Sequence, residues 1–510
     1  MAAPSRVRSL SAYDRHRQNM TSALSIAASL SPDTRQDIGI QVLSRSQPIS
    51  HIAATHQVSR KFVYQQGDKA QQALDESFTP SQGDDDVLFH LPVTKNWLYQ
   101  LILGLVLICH SSYRGVVELL RDLFDTSISV GTVHNRLQET AEKAAEINQS
   151  QDLASISVGL QDEIFQSNKP VLVGIDAPST YCYLLKSVDH RDEDTWGYHL
   201  LDVMEQGFEP DYTIADGGSG LRAGQKAAMP EVPCHGDVFH IQQQFEQVVN
   251  GLVRRVQGGP TRLLKQAQQM SKPSLKEIVA QKLLSQQVLA EKREQALVCL
   301  AQDVKTLLSW FSHDVLALAG PPLAVRQELF DFFVSELQQR EDERYPALRK
   351  LRKALRNQRD QLLAFASVID QKLADIAAAF ELPLQTVREV CLLHRKHRTS
   401  NAYWERWNQL HSQLSGKFHS VMEAVGKALE ETPRASSMVE NLNSRLRNYF
   451  FLRRSLGDDY LSLLKFFINH RHFLRSRVPG RVGKSPKELL TGETHPHWLE
   501  LLGFERFQRA

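Results

Sequence analysis

The sequence predicts an α/β protein in which one small sheet is set among long helical regions. Runs of β-branched and apolar residues separated by turn residues occur over 156–216, a pattern typical of strands. The regions on both sides carry the 3.6-residue apolar spacing of amphipathic helices instead. The predicted architecture is therefore an α/β core that is preceded by all-helical modules and interrupted by a large helical insertion.

Residues 1–74 predict a helix-turn-helix module. Helices are predicted over 33–44 and 49–56, and a third begins after a short turn with Ser59 as its N-cap. In such a module the third helix enters the DNA major groove. The predicted DNA contacts on that helix are Arg60, Lys61 and Tyr64. The alternative is a small three-helix packing unit that binds no DNA.

Residues 75–92 are acidic and contain Pro and Gly, so they predict a linker. Residues 93–150 predict a second helical DNA-binding module, whose last helix begins after Ser129 and resembles a recognition helix. Its predicted DNA contacts are Thr132, His134, Asn135 and Arg136. Two linked modules would bind a bipartite site more tightly than either module alone.

Residues 151–245 predict the first part of the α/β core. A meander of three strands is followed by a helix and a fourth strand. The predicted strands span 156–164, 171–176, 181–188 and 211–216, and the helix spans 195–206. A right-handed crossover can bring the fourth strand beside the first.

Residues 246–432 contain almost no strand signal and predict a long α-helical insertion. Within it, Trp310 is a candidate for stacking on a DNA base, and a core tryptophan is the alternative. Residues 433–478 predict the final helices of the core, and residues 479–510 predict a basic C-terminal tail.

Three acidic residues are placed so that they could form one site. Asp162 lies in the first predicted strand, Asp216 ends the fourth, and Glu440 stands near the start of a helix. Clustered carboxylates raise one another's pKa unless cations neutralise them, and Mg²⁺ is bound by carboxylates together with phosphate oxygens. The three residues therefore predict a site for two Mg²⁺ or Mn²⁺ ions that acts in phosphoryl transfer.

The order Asp, Asp, Glu on strand, strand and helix resembles the DDE-type transposases of bacterial insertion sequences. The string ENLNSRLRNYFFLRR resembles the helix that carries their glutamate, and the resemblance covers roughly residues 155–245 and 433–475. It implies a ribonuclease H-like fold, with Asp162, Asp216 and Glu440 as catalytic metal ligands. It also implies that the protein binds the terminal inverted repeats of an element and catalyses DNA cleavage and strand transfer.

The implied partner is double-stranded DNA, both at the element's ends and at the target, and the implied assembly is a homo-oligomer that is at least a dimer on DNA. The alternative function is that of a domesticated or inactive transposase that only binds specific DNA sequences. A nuclease that cuts without joining is a further alternative.

Asp176 competes with Asp162 for the place of the first catalytic aspartate. In the ribonuclease H-like fold that the resemblance implies, the first catalytic aspartate lies on the first strand, and an aspartate that ends the second strand is commonly a turn residue. Asp162 precedes Asp216 by 54 residues, which leaves room for two further strands and a helix, whereas Asp176 precedes it by only 40. The sequence therefore favours Asp162, with Asp176 as the alternative.

A group of potential ligands follows Asp216, namely Cys234, His235, Asp237 and His240. These residue types suit zinc, but no CxxC or HxxxH partner accompanies them. Several DDE families carry an Asp, two residues and a His here, on the strand beside the active site, and Asp237 with His240 matches. His240 is thus predicted to assist catalysis at the scissile phosphate, and a hydrogen-bonded core histidine is the alternative.

Arg445 and Arg447 follow Glu440 by one or two helical turns and are predicted to contact the cleaved DNA strand. The net charge is only +2, so any DNA-binding surface must be local. The five cysteines are scattered, which suits a reducing cytosol. The N-terminus lacks an apolar signal core, and the apolar run at 101–109 is too short to cross a bilayer. These features predict a cytoplasmic protein with no membrane partner, and the resemblance to bacterial transposases implies that it acts at the bacterial nucleoid.

Overall fold

The computed structural model describes residues 27–78, 91–270, 277–453 and 457–507. The chain divides into two compact units, residues 1–92 and residues 93–510. The described part is mostly helical and contains one mixed five-stranded sheet. Among the helices described, none combines the length and the apolar character that a bilayer crossing requires.

The first unit contains three helices, as the sequence predicts. They are α1 (Pro32–Leu43), α2 (Ile49–Thr55) and α3 (Arg60–Phe78). Ile38, Ile52 and Val63 form their common core. The predicted cap is confirmed, because the Ser59 hydroxyl accepts a hydrogen bond from the amide of Phe62 at 3.2 Å. Most of the predicted linker, residues 79–90, lies outside the described residues.

The second unit begins with the helices α4 (Lys95–Leu107), α5 (Tyr113–Phe124) and α6 (Val130–Gln149). These helices do not form a module of their own, which differs from the prediction for residues 93–150. Their buried side chains, Leu103 and Leu137 among them, belong to the same hydrophobic cluster as Leu160 of the sheet. The reason is that their apolar stripes are wide enough to pack against the sheet's covering helices as well as against one another.

The sheet consists of β1 (Val158–Gln166), β2 (Lys169–Asp176), β3 (Cys182–Ser187), β4 (Tyr212–Ala215) and β5 (Cys234–Gly236). Their order across the sheet is β3-β2-β1-β4-β5. The first three strands pair antiparallel, as predicted for a meander, whereas β4 pairs parallel to β1 and β5 parallel to β4. The predicted return of the fourth strand to the first is therefore confirmed. The strand that the resemblance implied at Asp237 and His240 lies just before them, at β5.

Each crossover between the parallel strands is a helix on the same face of the sheet. They are α7 (Glu193–Met204), between β3 and β4, and α8 (Ser219–Ala228), between β4 and β5. Trp196 and Leu221 of these helices pack with Leu172 and Tyr183 of the sheet. Side chains alternate along a strand, so Leu160, Asp162 and Ile164 of β1 point to the opposite face.

The long insertion is helical throughout its described part. It comprises α9 (Val238–Gln257), α10 (Gly259–Met270), α11 (Glu277–Trp310), a π-helical turn (Phe311–Val315), α12 (Leu323–Gln339), α13 (Pro346–Asn357), α14 (Arg359–Ala379), α15 (Leu384–Leu393), α16 (Asn401–Leu414), a 3₁₀ turn (Ser415–Lys417) and α17 (Phe418–Glu430). It has two hydrophobic clusters of its own. It also reaches the sheet, because Leu362 of α14 lies only 3.0 Å from the place of a Cβ atom at Gly236 of β5.

The last helices are α18 (Ser437–Phe451), α19 (Asp458–His470), α20 (Pro486–Thr491) and α21 (Trp498–Leu501). Helices α18 and α19 cover the second face of the sheet, where Leu446 and Leu464 join the cluster of Leu160. The predicted basic tail is packed rather than free, since Trp498 and Leu502 are buried in the same cluster. The burial of these two apolar side chains holds the segment against the core despite its basic composition.

We expect Trp498→Ala to lower the free energy of unfolding by about 3–5 kcal/mol. The Trp498 side chain is buried and packs edge-on against Phe467, with ring centroids 5.0 Å apart. Urea unfolding followed by circular dichroism measures the loss. Trp310→Ala is the matched control, because Trp310 is 58% exposed and its loss should change stability by no more than about 0.5 kcal/mol. Equal unfolding midpoints for the two variants would contradict the packing of this segment.

Candidate active site

A group of three side chains lies where the sheet meets the ends of two helices. Donor atoms of Asp162, Asp216 and His240 all lie within 4.8 Å of one another. Asp162 is in the middle of β1 and Asp216 directly follows β4. The parallel pairing opposes Gln161 to Ala215, so the two aspartates are the next residues on neighbouring strands. The sheet register therefore brings together two carboxylates that are distant in the sequence.

Glu440 reaches this group from a different element. It lies in the first turn of α18, which packs on β1 and β2. Its Oε1 atom lies 3.7 Å from Nε2 of His240. Glu440 is therefore at the edge of the three-residue group rather than inside it, and its side chain is 25% exposed. The structure thus brings the three predicted carboxylates to one place around His240.

Asp237 holds the helices that carry His240 and Glu440. Its wholly buried carboxylate accepts hydrogen bonds from the amides of Phe239 (2.8 Å) and Ser436 (3.1 Å) and from the Ser436 hydroxyl. Its second oxygen lies 2.5 Å from Nδ1 of His240. Ser436 directly precedes α18, and Asp237 is the N-cap of α9. One side chain therefore fixes the starts of both helices.

His240 lies on a helix, which corrects the prediction that it stands on the strand beside the site. Strand β5 ends at Gly236, and His240 belongs to the first turn of α9. The physical reason is the cap, because an Asp that accepts from the amide two residues on ends the strand and starts a helix. The Asp-x-x-His spacing then places the His at the next turn, above its own cap.

The charges of the site are strongly coupled. The pKa of Asp162 is raised to about 7, mainly by burial and to a smaller extent by the charges of Glu440 and Asp216, while the amide of Glu163 and the charge of His240 act in the opposite direction. The hydrogen bond to Asp237 raises the pKa of His240 to about 9, and the other carboxylates add to this effect. His240 is therefore an imidazolium at neutral pH. The site carries more negative than positive charge, so it favours an added cation.

Asn443 is a member of the site that the sequence did not single out. Its amide nitrogen donates to Oδ2 of Asp162 at 2.8 Å, while Oδ1 of Asp162 accepts from the amide of Glu163 at 2.8 Å. Asn443 follows Glu440 by three positions on α18, and side chains at that spacing share one helix face. The string Glu-x-x-Asn was therefore the available signal.

We expect Asn443→Ala to weaken Mn²⁺ binding by roughly 10–100-fold, the usual effect of removing a side chain that orients a metal ligand. The Asp162 carboxylate would lose the donor that fixes its rotation. Calorimetric titration of Mn²⁺ measures the change. Asn441→Ala is the control on the same helix, because Asn441 is exposed. Equal Mn²⁺ affinities for the two variants would show that Asn443 has no positioning role.

Asp176 lies at the end of β2 and forms a turn. Its Oδ2 atom accepts from the Ser179 amide at 2.9 Å and from the Ser179 hydroxyl at 2.5 Å. Among the described residues, Asp176 belongs to neither group of potential metal ligands, and the same is true of Cys234 and His235. The His235 ring stacks on Tyr212 instead, and burial lowers its pKa to about 4.

The residues predicted to contact DNA differ in their solvent exposure and in their contacts within the chain. Arg60, Lys61, Tyr64, His134, Asn135 and Arg447 are exposed, and Thr132 is half-buried. Arg136 is engaged within the chain, by Glu139 at 2.5 Å and by the Tyr99 ring at 4.3 Å. Arg445 is half-buried, and burial lowers its pKa. Trp310 is exposed rather than part of the core.

Comparison with known proteins yields no family for this chain. No protein-family model matches it, and no curated protein is found to be similar.

Proposed function

We propose that this protein is a DDE-type DNA transposase that cleaves the ends of a mobile element and joins them to target DNA. Asp162, Asp216 and Glu440 are the catalytic carboxylates. The observation that carries the proposal is their meeting around His240, from two adjacent parallel strands and the first turn of a covering helix.

The topology supports a ribonuclease H-like core. Three antiparallel strands followed by two parallel ones, with the first strand in the centre, give the order β3-β2-β1-β4-β5. In that order β1 and β4 are adjacent, and each contributes one carboxylate at the same height of the sheet. Helices cover both faces. The resemblance of the sequence to bacterial insertion-sequence transposases implies this arrangement.

The donor set suits Mg²⁺ or Mn²⁺. Both ions prefer carboxylate oxygens and keep several waters, and the site offers carboxylates that are partly buried and short of positive charge. Asp162 and Asp216 would hold the ions with Glu440 at the open side. Two such ions supply Lewis acidity to the attacking oxygen, a water or a 3′-hydroxyl, and to the leaving oxygen of an in-line displacement.

The chain's own residues have separate tasks in this reaction. Asn443 fixes the rotation of the Asp162 carboxylate through its hydrogen bond of 2.8 Å. Asp237 holds His240 in its charged form and aims Nε2 toward Glu440. A cation at that position can bind a non-bridging oxygen of the scissile phosphate. In cleavage, water forms the new bond to phosphorus and the 3′-oxygen leaves. In joining, that 3′-hydroxyl forms the new bond to the target phosphorus and the 3′-oxygen of the target strand leaves.

The exposed residues of α3 support a role in recognising DNA ends. Arg60, Lys61 and Tyr64 lie together on one exposed face in the first two turns of the third helix. That is the part of such a helix that reads base edges in the major groove. Cleavage of two element ends requires two active sites, so the enzyme acts as at least a dimer on DNA.

The test is an assay of labelled duplexes that carry the DNA flanking the gene, with Mg²⁺ or Mn²⁺ and a supercoiled target. The proposal predicts a nick that leaves a 3′-hydroxyl at the element end, followed by joined products. Asp216→Asn should bind the same duplex and yield neither product. Glu163→Gln is the control, because the Glu163 side chain lies on the other face of the sheet, where its carboxylate accepts a hydrogen bond from the Trp196 indole at 2.9 Å.

Other outcomes would replace the proposal. Cleavage of a pre-cut end into short fragments without any joining would indicate a nuclease. Sequence-specific binding without cleavage in either metal would indicate a protein that only binds DNA. Equal cleavage by wild type and Asp216→Asn would remove the carboxylates from the reaction.

A further inference from the structure

We propose that the C-terminal part of the chain binds a zinc ion through His472, Glu488 and His495. One donor atom from each residue lies within 4.8 Å of the other two. This group is separate from the site around His240 and shares no residue with it. The inference does not depend on the proposed function, since it concerns the packing of the segment after α19.

The spacing of two of the donors already fits a tetrahedral ion. Nε2 of His472 lies 3.3 Å from Oε2 of Glu488. Two ligands that are bonded to zinc at about 2.0–2.1 Å with tetrahedral geometry lie roughly 3.3–3.4 Å from each other. An ion could therefore sit between these atoms with little movement of either side chain. A ring nitrogen of His495 lies within 4.8 Å of both atoms, so a movement of this ring toward them would complete three ligands.

The surroundings of His495 prepare one ring nitrogen for a metal. Nδ1 lies 2.6 Å from the carbonyl oxygen of Pro496. A carbonyl can only accept, so Nδ1 carries the hydrogen and Nε2 presents a lone pair. Metal-bound histidines use the same arrangement, in which the second ring nitrogen donates to a carbonyl or carboxylate. Nε2 contacts the Ser485 hydroxyl at 2.7 Å, a partner that an ion would displace.

Glu488 is held in place before any ion binds. Its side chain is only 7% exposed, and Oε2 accepts from the Ser485 amide at 2.8 Å in the capping box of α20. Because the carboxylate is fixed by the backbone, the ion has to order mainly the exposed His472. The His470 ring lies beside the His495 ring, with ring centroids 5.0 Å apart.

The donor chemistry selects the class of ion. Two imidazoles and one carboxylate suit Zn²⁺ and related transition ions, whereas Mg²⁺ prefers oxygen ligands alone. Three protein ligands also leave a fourth position for water. The ion would tie the chain just after α19 to α20 and to the turn before α21. Its expected effect is to hold residues 471–497 against the core.

The test uses zinc alone on the full chain in the background Asp162→Asn/Asp216→Asn, which removes the other group of ligands. After chelation and dialysis, this protein should bind one Zn²⁺ per chain, and Co²⁺ should give visible absorption bands of a site with four ligands. His472→Ala should weaken binding by more than the roughly 100-fold that loss of an orienting residue costs. His51→Ala is the matched control, since His51 is exposed in the first unit.

Two results of the zinc titrations would overturn the proposal. One is the absence of stoichiometric zinc in the background protein, which would leave the three side chains as an ion pair and helix cap. The other is equal zinc affinity for His472→Ala and His51→Ala. Hydrogen exchange of the unsubstituted chain is a second readout that needs no variant. Zinc should slow amide hydrogen exchange over residues 471–497, and unchanged exchange there would contradict the proposal that the ion holds this segment against the core.

Discussion

Asp162→Asn is expected to lower the rate of DNA end cleavage on the order of 10³-fold, which corresponds to the loss of several kcal/mol of transition-state stabilisation. The amide removes the negative charge that would hold a metal ion between Asp162 and Asp216. It keeps an oxygen that can accept from Asn443. Single-turnover cleavage of a labelled end, at equal bound protein, measures the effect.

Asp176→Asn is the matched control for this variant, because both aspartates are buried in the same sheet. Asp176 only accepts from Ser179 in a turn, so its replacement should cost about 1 kcal/mol of stability and leave cleavage intact. Burial already raises the pKa of Asp162, so Asp162→Asn should not destabilise the fold. The opposite pattern, with activity lost only in Asp176→Asn, would move the first ligand to β2.

Asp237→Ala is expected to lower the free energy of unfolding by roughly 3–5 kcal/mol, because it leaves buried partners of a charged group without their acceptor. The Ser436 amide and hydroxyl and the His240 ring would all lose their bond. The start of α18 and the imidazolium would then be free to move, so cleavage should fall as well. Denaturant unfolding and the cleavage assay measure the two effects separately.

Asp192→Ala provides the comparison, since Asp192 is also an N-cap but lies exposed at the start of α7. Its loss should destabilise the protein much less than the loss of the buried Asp237, because only one exposed cap is removed, and it should leave cleavage unchanged. If Asp237→Ala were no more destabilising than Asp192→Ala, the network between α9 and α18 would have no special role.

Local patterns were sufficient to predict the elements that carry the site. The apolar alternation around Asp162 and the short run that ends before Asp216 correspond to β1 and β4, and a crossover helix explains why these strands are neighbours. The first two helices of the first unit and the start of the third were also predicted within one residue, whereas the third helix continues to Phe78, beyond its predicted end. In each of these cases a periodic pattern and a turn or cap signal agree along a continuous stretch.

Tertiary features escaped the sequence analysis. Strand β5 has only three residues, which are too few to show an apolar period. Asp237, the next residue, accepts a hydrogen bond from Ser436, which lies nearly two hundred positions away in the sequence. The helices of residues 93–150 were predicted to form a separate module, because an amphipathic pattern shows which face of a helix is buried but not which part of the protein buries it. Arg445 was predicted to contact the cleaved DNA strand, and its half-buried position follows only from the packing of the folded chain.

The most direct test of the central claim is to locate the bound metal by iron-mediated cleavage of the protein backbone. Fe²⁺ replaces Mg²⁺, and peroxide with ascorbate then generates hydroxyl radicals that cut the chain close to the ion. Mass spectrometry of the fragments should find cuts near residues 162, 216 and 440 that excess Mg²⁺ suppresses and that Asp162→Asn/Asp216→Asn lacks. The absence of cuts at these three places, or their persistence in the double variant, would contradict a catalytic metal site formed by these carboxylates.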